Sequence, residues 1–482
     1  MPNDSLAVQK TCGVICVALV VCGALFSEGC GSSSSLPHSQ QPPPPAIESA
    51  SFFGMSVNRS NDAWPTTVGA PFASWRTLGS HGLLWAAMNP SDGAYDFSTF
   101  DQFMASAQAG GQDVMFTAFA TPSWASAAGS KCVSAGNPAG CLGPPNATCA
   151  FDQQDGPGLC DPPTDIHCNG SGTDQHFINF ISALLKHVGP GKIKYWEMWN
   201  EPNVAKEWNA EADCPNTPHA SQLILARMAK DLRTTVLAID PNARFTTPAA
   251  TGGPTLTSGW LESYLKNTNG GTSADIIAFH GYVQTGICPI GCPVPEDVAT
   301  VVEEVKTVAS SAGQQNKPVF DTEGSWGAVA GVNTILDPDQ QAAFLGRYYL
   351  LQLGAGVSKF YWYGWDFLSS GFLYDPNTQS LAPSGVAYQQ IVKWTSGNAV
   401  APCAPTLSSV GQWSCLIASS NGTQTEAMWD SSQKCAAGLC TTTNVSVASQ
   451  FISYTDLTGQ THAIKNGTVP LSAKPILLAT TN

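Results

Sequence analysis

Eight short apolar runs, separated by segments with helical periodicity, occupy the chain from residue 51 to about residue 397. The runs are SFFGMSV (51–57), GLLWAAM (82–88), DVMFTAFA (113–120), IKYWEMW (193–199), ARFTTPAA (243–250), DIIAFHGY (275–282), KPVFDTEG (317–324) and KFYWYGW (359–365). Nearly continuous apolar strands that alternate with helices indicate a parallel sheet covered on both faces. Eight such units predict a (β/α)8 TIM barrel over residues 51–397.

A second domain is predicted after the barrel. Residues 398–482 contain short alternating runs such as EAMWD, VSVASQFISYTDL and PILLAT, separated by Gly, Asn, Ser and Thr. This pattern is typical of a small all-β domain, and we expect a β-sandwich. The 482 residues of the chain are enough for one large domain and one small one.

The first 50 residues have the composition of a targeting segment followed by a spacer. Lys10 precedes the apolar run TCGVICVALVVCGALF, which has the length of a signal-peptide core and is short for a membrane-spanning helix. The following SEGC resembles a bacterial lipoprotein signal, which predicts a signal peptide at residues 1–29 and a lipid anchor on Cys30 at the outer membrane or cell surface. Residues 30–50 form a Ser- and Pro-rich linker. An ordinary secretory signal is the alternative, and either one places residues 51 onward outside the cytoplasm.

The cysteine count agrees with an exported chain. Of 16 cysteines, four lie within the first 30 residues, three in the predicted signal peptide and one at the predicted lipidation site, which leaves 12, and each predicted domain holds an even number of these. We expect local disulfides for Cys288/Cys292 and Cys435/Cys440, whereas the six cysteines between residues 132 and 214 allow many pairings. A zinc site is the alternative, but no paired CxxC motif or neighbouring His set supports it.

The charge balance limits the partners. Only 12% of the residues are charged and the net charge is -14, which argues against nucleic acids and anionic membrane surfaces as partners. The sequence holds no phosphate-cradling loop, nucleotide fingerprint or metal-ligand motif. We therefore expect neither a cofactor nor a metal.

A long insertion separates the third and fourth predicted strands. Residues 126–172 are rich in Cys, Pro, Gly and Asn and lack a long periodic stretch. Because it follows the C-terminal end of a strand, the insertion is expected to overhang the face where barrel enzymes place their active sites. It either contacts a substrate there or is a disulfide-stapled loop without substrate contact.

Two glutamates follow the fourth and seventh predicted strands. Glu201 lies in YWEMWNEPN and Glu323 lies in VFDTEGSW. The C-terminal ends of all strands of a barrel surround one mouth, so the two carboxyl groups are expected to converge there. Glycoside hydrolysis requires such a pair: one group protonates the leaving oxygen, and the other attacks the anomeric carbon or activates water.

Four motifs together resemble the clan A glycoside hydrolases, and most closely family 39. They are WNEP with Glu201, DTEGSW with Glu323, FHGY with His280 and Tyr282, and TPSWAS with Trp124, and the resemblance extends over roughly residues 51 to 475. It implies a retaining enzyme that needs no cofactor, with Glu201 as acid/base and Glu323 as nucleophile. The family includes β-xylosidases, exopolysaccharide-cleaving endoglycosidases and α-L-iduronidases. An iduronidase is the least favoured, because these motifs offer no basic group to a uronate.

Further residues are expected around this pair. Asn200 would donate to the sugar 2-hydroxyl, Tyr282 would hydrogen bond to the nucleophile, and His280 would shape that side of the pocket. The resemblance also suggests Arg76 as an arginine beside the nucleophile. We expect the charge of Glu323 and the nearby aromatic residues to raise the pKa of Glu201, so that it stays protonated as the acid.

Tryptophans are the candidates for sugar-stacking platforms, because the axial hydrogens of a pyranose pack against a flat apolar face. Trp124 is one candidate. Trp362 is preferred over Trp365, since residues three apart on a strand face opposite ways. The sequence thus predicts an extracytoplasmic retaining glycosidase acting on an oligosaccharide or polysaccharide. A non-catalytic carbohydrate-binding protein on a barrel scaffold is the alternative.

Overall fold

The computed structural model describes residues 49–78, 80–126, 149, 157–283, 294–329, 332–406 and 411–480. The predicted signal peptide, the lipidation site at Cys30, the Cys288/Cys292 pair and most of the insertion lie outside these residues. Within them, no helix combines the length and the apolar character needed to cross a membrane.

A parallel eight-stranded sheet forms the core of the main domain. Its strands are β1 (Phe53–Ser56), β2 (Ser74–Arg76), β3 (Asp113–Ala118), β4 (Tyr195–Met198), β5 (Arg244–Phe245), β6 (Ile277–His280), β7 (Val319–Gly324) and β8 (Lys359–Trp362). The hydrogen-bonded order is β5-β4-β3-β2-β1-β8-β7-β6. Parallel bridges from Thr246 to Ile276 and from Ala250 to Phe279 join β5 to β6. The sheet therefore closes, which confirms the predicted TIM barrel.

Helices cover the outside of the barrel. They are α1 (Ser98–Ala109), α2 (Gln175–Val188), α3 (Ala220–Leu237), α4 (Pro254–Asn267), α5 (Val298–Ser311), α6 (Pro338–Gly354) and α7 (Pro383–Thr395). Shorter helical segments are Ser49–Phe52, Pro65–Val68, His81–Leu83, Trp85–Met88, Ala210–Asp213, Gly270–Ser273 and Pro295–Asp297. The start of α6 shows how sequence fixes a helix end: Asp337 accepts hydrogen bonds from the backbone N–H groups of Asp339 and Gln340, and Pro338 occupies the first turn.

The prediction for the second strand was wrong. Residues 82–88 belong to the helical segments His81–Leu83 and Trp85–Met88, and the strand is instead the three-residue Ser74–Arg76. Periodicity cannot distinguish a short apolar run in a strand from one in a buried helical turn. Trp85 is fully buried and stacks on Phe180 of α2, which explains why this run is apolar.

The chain after α7 is an antiparallel β domain, as predicted. Its main sheet contains Asn398–Val400, Ala404–Pro405, Gln412–Ser419, Gln424–Asp430, Ser453–Thr455, Thr461–Ala463 and Ile476–Ala479. The ribbon formed by Thr443–Ser446 and Thr468–Leu471 packs on this sheet through Val469 and Leu471. A small antiparallel ladder in this domain pairs Cys435–Ala436 with Leu439–Cys440. Two similar ladders lie earlier in the chain, within the barrel domain, and pair Ala328–Val329 with Val332–Asn333 and Tyr374–Asp375 with Ser380–Leu381. Disulfides join Cys403 to Cys415 and, as predicted, Cys435 to Cys440.

The barrel interior changes from apolar to charged along its axis. Met115, Tyr195, Ile276, Phe320 and Tyr361 form one buried cluster. Thr117 and Glu197 lie two residues after Met115 and Tyr195, so they point to the same side, and they meet Arg76 of β2 in the interior. This charged layer lies directly beneath the mouth at which β4, β6 and β7 end.

Candidate active site

The segment after β4 turns Glu201 into the mouth of the barrel. Trp199 and Glu201 both have left-handed backbone angles, with φ of 66° and 42°. Residues other than glycine adopt this conformation at an energetic cost, and such positions are concentrated at functional sites. The Glu201 N–H donates to the carbonyl of Ala249 at 3.1 Å, which fixes the turn against the segment after β5.

Glu323 ends β7 on the opposite side of the mouth. Arg76 Nη1 lies 2.6 Å from Glu323 Oε2, and the Tyr282 hydroxyl donates to Glu323 Oε1 at 3.0 Å. Only 7% of Glu323 is exposed. Both carboxylate oxygens therefore have a donor, which leaves this carboxylate fixed in orientation.

The two predicted acids do converge. One carboxylate oxygen from each of Glu201 and Glu323, and one nitrogen of His280, all lie within 4.8 Å of one another. Retaining glycosidases hold their two carboxyl groups about 5 to 5.5 Å apart. The same three ligand types could hold a metal ion, but the Arg76 guanidinium already supplies a positive charge to Glu323. The arrangement fits an acid pair better than a cation site.

The expected rise in the pKa of Glu201 is not what the structure gives. Burial does raise the pKa of Glu201, but the hydrogen bond and charge of His280 outweigh burial, with help from Thr251 and Arg76, and the net pKa is lowered. His280 Nδ1 lies 2.8 Å from Glu201 Oε1. Burial lowers the pKa of His280, but the charges of Glu323 and Glu201 raise it more. The contact therefore favours the ionised form of Glu201 in the free protein.

Arg76 contacts four residues of the site from the barrel interior. Besides Glu323, its guanidinium contacts Glu197 Oε2 at 2.6 Å, donates to Asn200 Oδ1 at 3.0 Å and lies 3.3 Å from His280 Nε2. Arg76 and Glu197 are both fully buried. The negative charges of Glu197 and Glu323 outweigh the effect of burial and raise the pKa of Arg76. Arg76 therefore lies beside Glu323, where the sequence analysis suggested it.

Sequence reasoning missed Glu197. It lies inside the apolar run IKYWEMW, two residues after the inward-facing Tyr195, and period-two alternation therefore places it in the barrel interior. A carboxylate at such a position needs a buried cationic partner, and Arg76 is that partner.

Asn200 accepts a hydrogen bond from Arg76 on its side-chain oxygen, and its side chain also forms a hydrogen bond with Glu207. Asp321, two residues before Glu323, lies behind the site against α6. It accepts hydrogen bonds from the Gly281 N–H at 2.9 Å and from Gln352. Burial raises the pKa of Asp321 to about 7, against opposing effects of His280 and these donors.

The choice of Trp362 and Trp365 as sugar platforms was wrong. Both rings are fully buried. Trp362 stacks on Tyr349 of α6 and donates to the carbonyl of Gly371, while Trp365 stacks on Tyr374 and donates to the carbonyl of Ala63. A short aromatic run does not reveal which of its rings face the helices.

In addition to Tyr282, Tyr363 between those two tryptophans is an aromatic residue near the acids. It is half-buried, and its N–H donates to the Gly324 carbonyl at 3.1 Å. Burial raises the pKa of Tyr363, and the charge of Glu323 raises it further. Trp124 is half-buried in the segment after β3, where its indole N–H donates to the carbonyl of Asn89 at 2.8 Å. Its role as a platform stays a prediction.

The end of the insertion is fastened to the segment that carries Glu201. Disulfides join Cys149 to Cys160 and Cys168 to Cys214. The Asn209 N–H donates to the carbonyl of Cys160 at 2.8 Å. The described part of the insertion therefore braces the wall of the mouth that follows β4.

No protein-family model matches the chain, and no curated protein sequence matches it. Solved structures do resemble it. A family 39 glycoside hydrolase from the gut symbiont Bacteroides cellulosilyticus has a TM-score of 0.61 and 18% identity, covering 91% of this chain and 83% of that one. A family 39 enzyme from Xanthomonas axonopodis pv. citri has a TM-score of 0.55 and 15% identity, covering 90% and 95%. A monomeric β-xylosidase from Caulobacter crescentus has a TM-score of 0.54 and 15% identity, covering 89% and 95%. The suspected resemblance to family 39 is thus confirmed as a shared fold.

Proposed function

We propose that the protein is a retaining glycoside hydrolase that cleaves O-glycosidic bonds by double displacement. One observation carries the proposal: one carboxylate oxygen of Glu201 and one of Glu323 lie within 4.8 Å of each other across the mouth of the barrel. Carboxyl groups this close agree with the retaining mechanism, in which they are about 5 to 5.5 Å apart, rather than with the wider spacing of inverting enzymes.

In the first step, a Glu323 oxygen forms a bond to the anomeric carbon while the bond to the leaving oxygen breaks. Arg76 and Tyr282 hold Glu323 for in-line attack. Glu201 gives its proton to the leaving oxygen, and the departing group carries that proton away. Asn200 is placed to donate to the sugar 2-hydroxyl, a contact that strengthens in the transition state.

Glu201 must be protonated before it can act as the acid. A bound sugar excludes water from the site, and the loss of solvent favours the neutral acid over the carboxylate, so Glu201 takes up a proton from solvent as the substrate binds. Arg76 donates to His280 Nε2, and the Nδ1–H of the same ring donates to Glu201 Oε1 at 2.8 Å and orients the acid. In the second step Glu201 removes a proton from water, the water oxygen displaces the ester at the anomeric carbon, and Glu323 is released.

The substrate is an oligosaccharide or polysaccharide outside the cytoplasm. Four disulfides among the described residues agree with an oxidising compartment. The name of the Caulobacter crescentus structure supports a β-xylosidase-like activity, and an exopolysaccharide endoglycosidase is the other specificity that we propose to test. The lipid anchor on Cys30 remains part of the proposal.

Purified protein assayed on aryl glycosides and on plant and bacterial polysaccharides tests this function. Wild type is expected to turn over at least one of these substrates, and Glu323→Ala is expected to lose roughly 10³-fold or more in kcat. Azide should rescue Glu323→Ala and give a glycosyl azide of inverted configuration. Sugar binding without turnover in the wild type would instead support a carbohydrate-binding protein.

A further inference from the structure

Strand β7, which carries the proposed nucleophile Glu323, holds one more residue than the strands on either side of it. Phe279 of β6 pairs with Asp321, and the next residue, His280, pairs with Glu323, so one step along β6 corresponds to two steps along β7. The pairing of β7 with β8 is shifted by one residue over the same stretch. A β-bulge therefore lies at Thr322, directly before Glu323.

The bulge gives Asp321 and Glu323 different directions. Residues two apart in a regular strand point to the same side of the sheet. Asp321 lies against Tyr348 and Gln352 of α6, on the outside of the barrel. Glu323 instead contacts Arg76 in the mouth. Bulges next to active sites commonly re-aim a side chain in this way. The extra residue of β7 thus turns the Glu323 carboxylate away from α6 and into the mouth.

The Asp321 carboxyl group joins the ends of β6 and β7 at the bulge. It is fully buried, and its Oδ1 accepts hydrogen bonds from the Gly281 N–H at 2.9 Å and from the Glu323 N–H at 3.3 Å. Gly281 lies between His280 and Tyr282, each of which contacts one of the two acids. A single buried oxygen therefore holds the backbone beside three side chains of the site.

Tyr348 of α6 supports the same junction. Its hydroxyl donates to the Gly281 carbonyl at 2.5 Å and lies 3.3 Å from Asp321 Oδ2, to which Gln352 also donates. A Cβ on Gly324 would lie 2.5 Å from this hydroxyl, and a Cβ on Gly281 would lie 2.6 Å from it. No side chain larger than hydrogen fits at these two positions, so the side chains of α6 contact the backbone of the strand ends directly.

We propose that Asp321 is a positioning residue, whose carboxyl group fixes the β-bulge that directs Glu323 at the anomeric carbon. The proposal rests on the proposed glycosidase function and adds to it the origin of the nucleophile's orientation. Because Asp321 is buried and acts through backbone N–H groups, its loss should affect the rate of bond formation more than the affinity for substrate. A displacement of about 1 Å in a reacting group can cost about 100-fold in rate.

Three variants test this role. Asp321→Ala removes the acceptor of the Gly281 and Glu323 N–H groups and should lower kcat for an aryl glycoside roughly 10- to 100-fold, with KM within about threefold. Asp321→Asn keeps an acceptor at Oδ1 and should keep kcat within about threefold. Tyr348→Phe loses only the hydroxyl on the Gly281 carbonyl, and we expect a loss of roughly fivefold. The rate at which a 2-deoxy-2-fluoro glycoside labels Glu323 should follow the same order.

Gln341→Ala is the control for a general loss of stability. Gln341 is buried on the same helix α6, but its amide donates to the carbonyl of Ile335 at 2.9 Å rather than to β6 or β7. The control should lower the thermal midpoint, because a buried hydrogen bond is lost, and should leave kcat and the labelling rate within about twofold of the wild type. All rates are measured well below every thermal midpoint, so that each variant is folded.

Labelling of Asp321→Ala at the wild-type rate would overturn this inference, and so would an equal loss of rate in the control. If Asp321→Ala does not fold, a wild-type labelling rate for Tyr348→Phe has the same meaning. If the wild type neither turns over nor is labelled by any glycoside, the proposed function fails. Crystal structures of Asp321→Ala and Tyr348→Phe then still test the positioning role, since Glu323 should move relative to Arg76 by about 1 Å in at least one of them. An unchanged contact between Glu323 Oε2 and Arg76 Nη1 in both would reject it.

Discussion

His280 Nδ1 lies 2.8 Å from Glu201 Oε1, and this contact favours the ionised form of the predicted acid. The interaction lowers the pKa of Glu201 and raises that of His280. An acid catalyst must be protonated at the pH at which it works, so a lowered pKa confines catalysis to lower pH unless substrate binding restores the proton. His280 therefore sets the pH range over which Glu201 can act as the acid in the proposed mechanism.

Replacing His280 by Asn should move the pH profile toward the alkaline side. The Asn amide can donate to Glu201 in place of Nδ1 but cannot carry a charge, so the pKa of Glu201 is lowered less than in the wild type. Because Glu201 must be protonated to act as the acid, the alkaline limb of kcat/KM in the free enzyme is expected at higher pH, with lower maximal activity. A limb that is unchanged, or that moves to lower pH, would contradict the linked pair.

Asp321 makes the stability of the fold depend on pH. Its pKa is raised to about 7 in the folded protein, whereas an unfolded carboxyl group titrates near 4. As pH rises from about 4 to about 7, the unfolded chain releases this proton and the folded one keeps it, so the folded state loses stability. One pKa unit corresponds to about 1.4 kcal/mol, which makes the loss on the order of 3 to 4 kcal/mol.

Asp321→Asn should remove this pH dependence. Gln352 Oε1 has no hydrogen-bond partner among the described residues, so a flipped Gln352 can accept from the new Asn amide. When thermal midpoints are measured from pH 4.5 to 7.5, the midpoint of Asp321→Asn should rise relative to that of the wild type as pH rises. A gap between the two proteins that stays constant over this range would refute the buried protonated carboxyl group.

The loss of either Arg76 or Glu197 alone should destabilise the fold more than the loss of both. Arg76→Met leaves Glu197 without its cation in the barrel interior, and the loss of one buried partner typically costs about 3 to 5 kcal/mol. The double variant Arg76→Met/Glu197→Met removes both charges and should recover much of the thermal midpoint. Activity should not recover, because Glu323 still lacks Arg76. Equal thermal midpoints for the single and double variants would argue against this coupling.

The sequence predicts the chemistry of the site better than its aromatic lining. Glu201 and Glu323 follow buried strands, and the closure of a barrel brings strand ends together whatever the loops do. The orientation of Trp362 depends on how β8 packs against α6, and a run of four aromatic residues contains no alternation that indicates it. Tyr363 was missed for the same reason.

The protonation of the site was beyond sequence reasoning for a different reason. Aromatic neighbours and a second carboxylate predict a raised pKa for Glu201, but the contact with His280 joins segments 79 residues apart and reverses the direction. The second strand was missed because Ser74–Arg76 is too short to show periodicity, although its Arg76 proved to be the centre of the charged layer.

The Cys168–Cys214 disulfide should stabilise the active-site wall more than Cys435–Cys440 stabilises the β domain. The sequence separations are 46 and 5 residues, and loop-closure entropy gives contributions of about 4 and about 2 kcal/mol. Cys168→Ala/Cys214→Ala should lower the thermal midpoint more than Cys435→Ala/Cys440→Ala, and only the first should reduce kcat. Equal effects on kcat would mean that the brace on the segment after β4 has no catalytic importance.

Covalent trapping tests the central claim most directly. A 2-deoxy-2-fluoro glycoside with an activated leaving group, matched to the best substrate, should inactivate the protein and leave one sugar attached. Mass spectrometry of the digested protein is expected to locate that sugar on Glu323, with no labelling of Glu323→Gln. A sugar attached to Glu201 or Glu207, or turnover with inversion and no attached sugar, would contradict the assignment of Glu323 as the nucleophile.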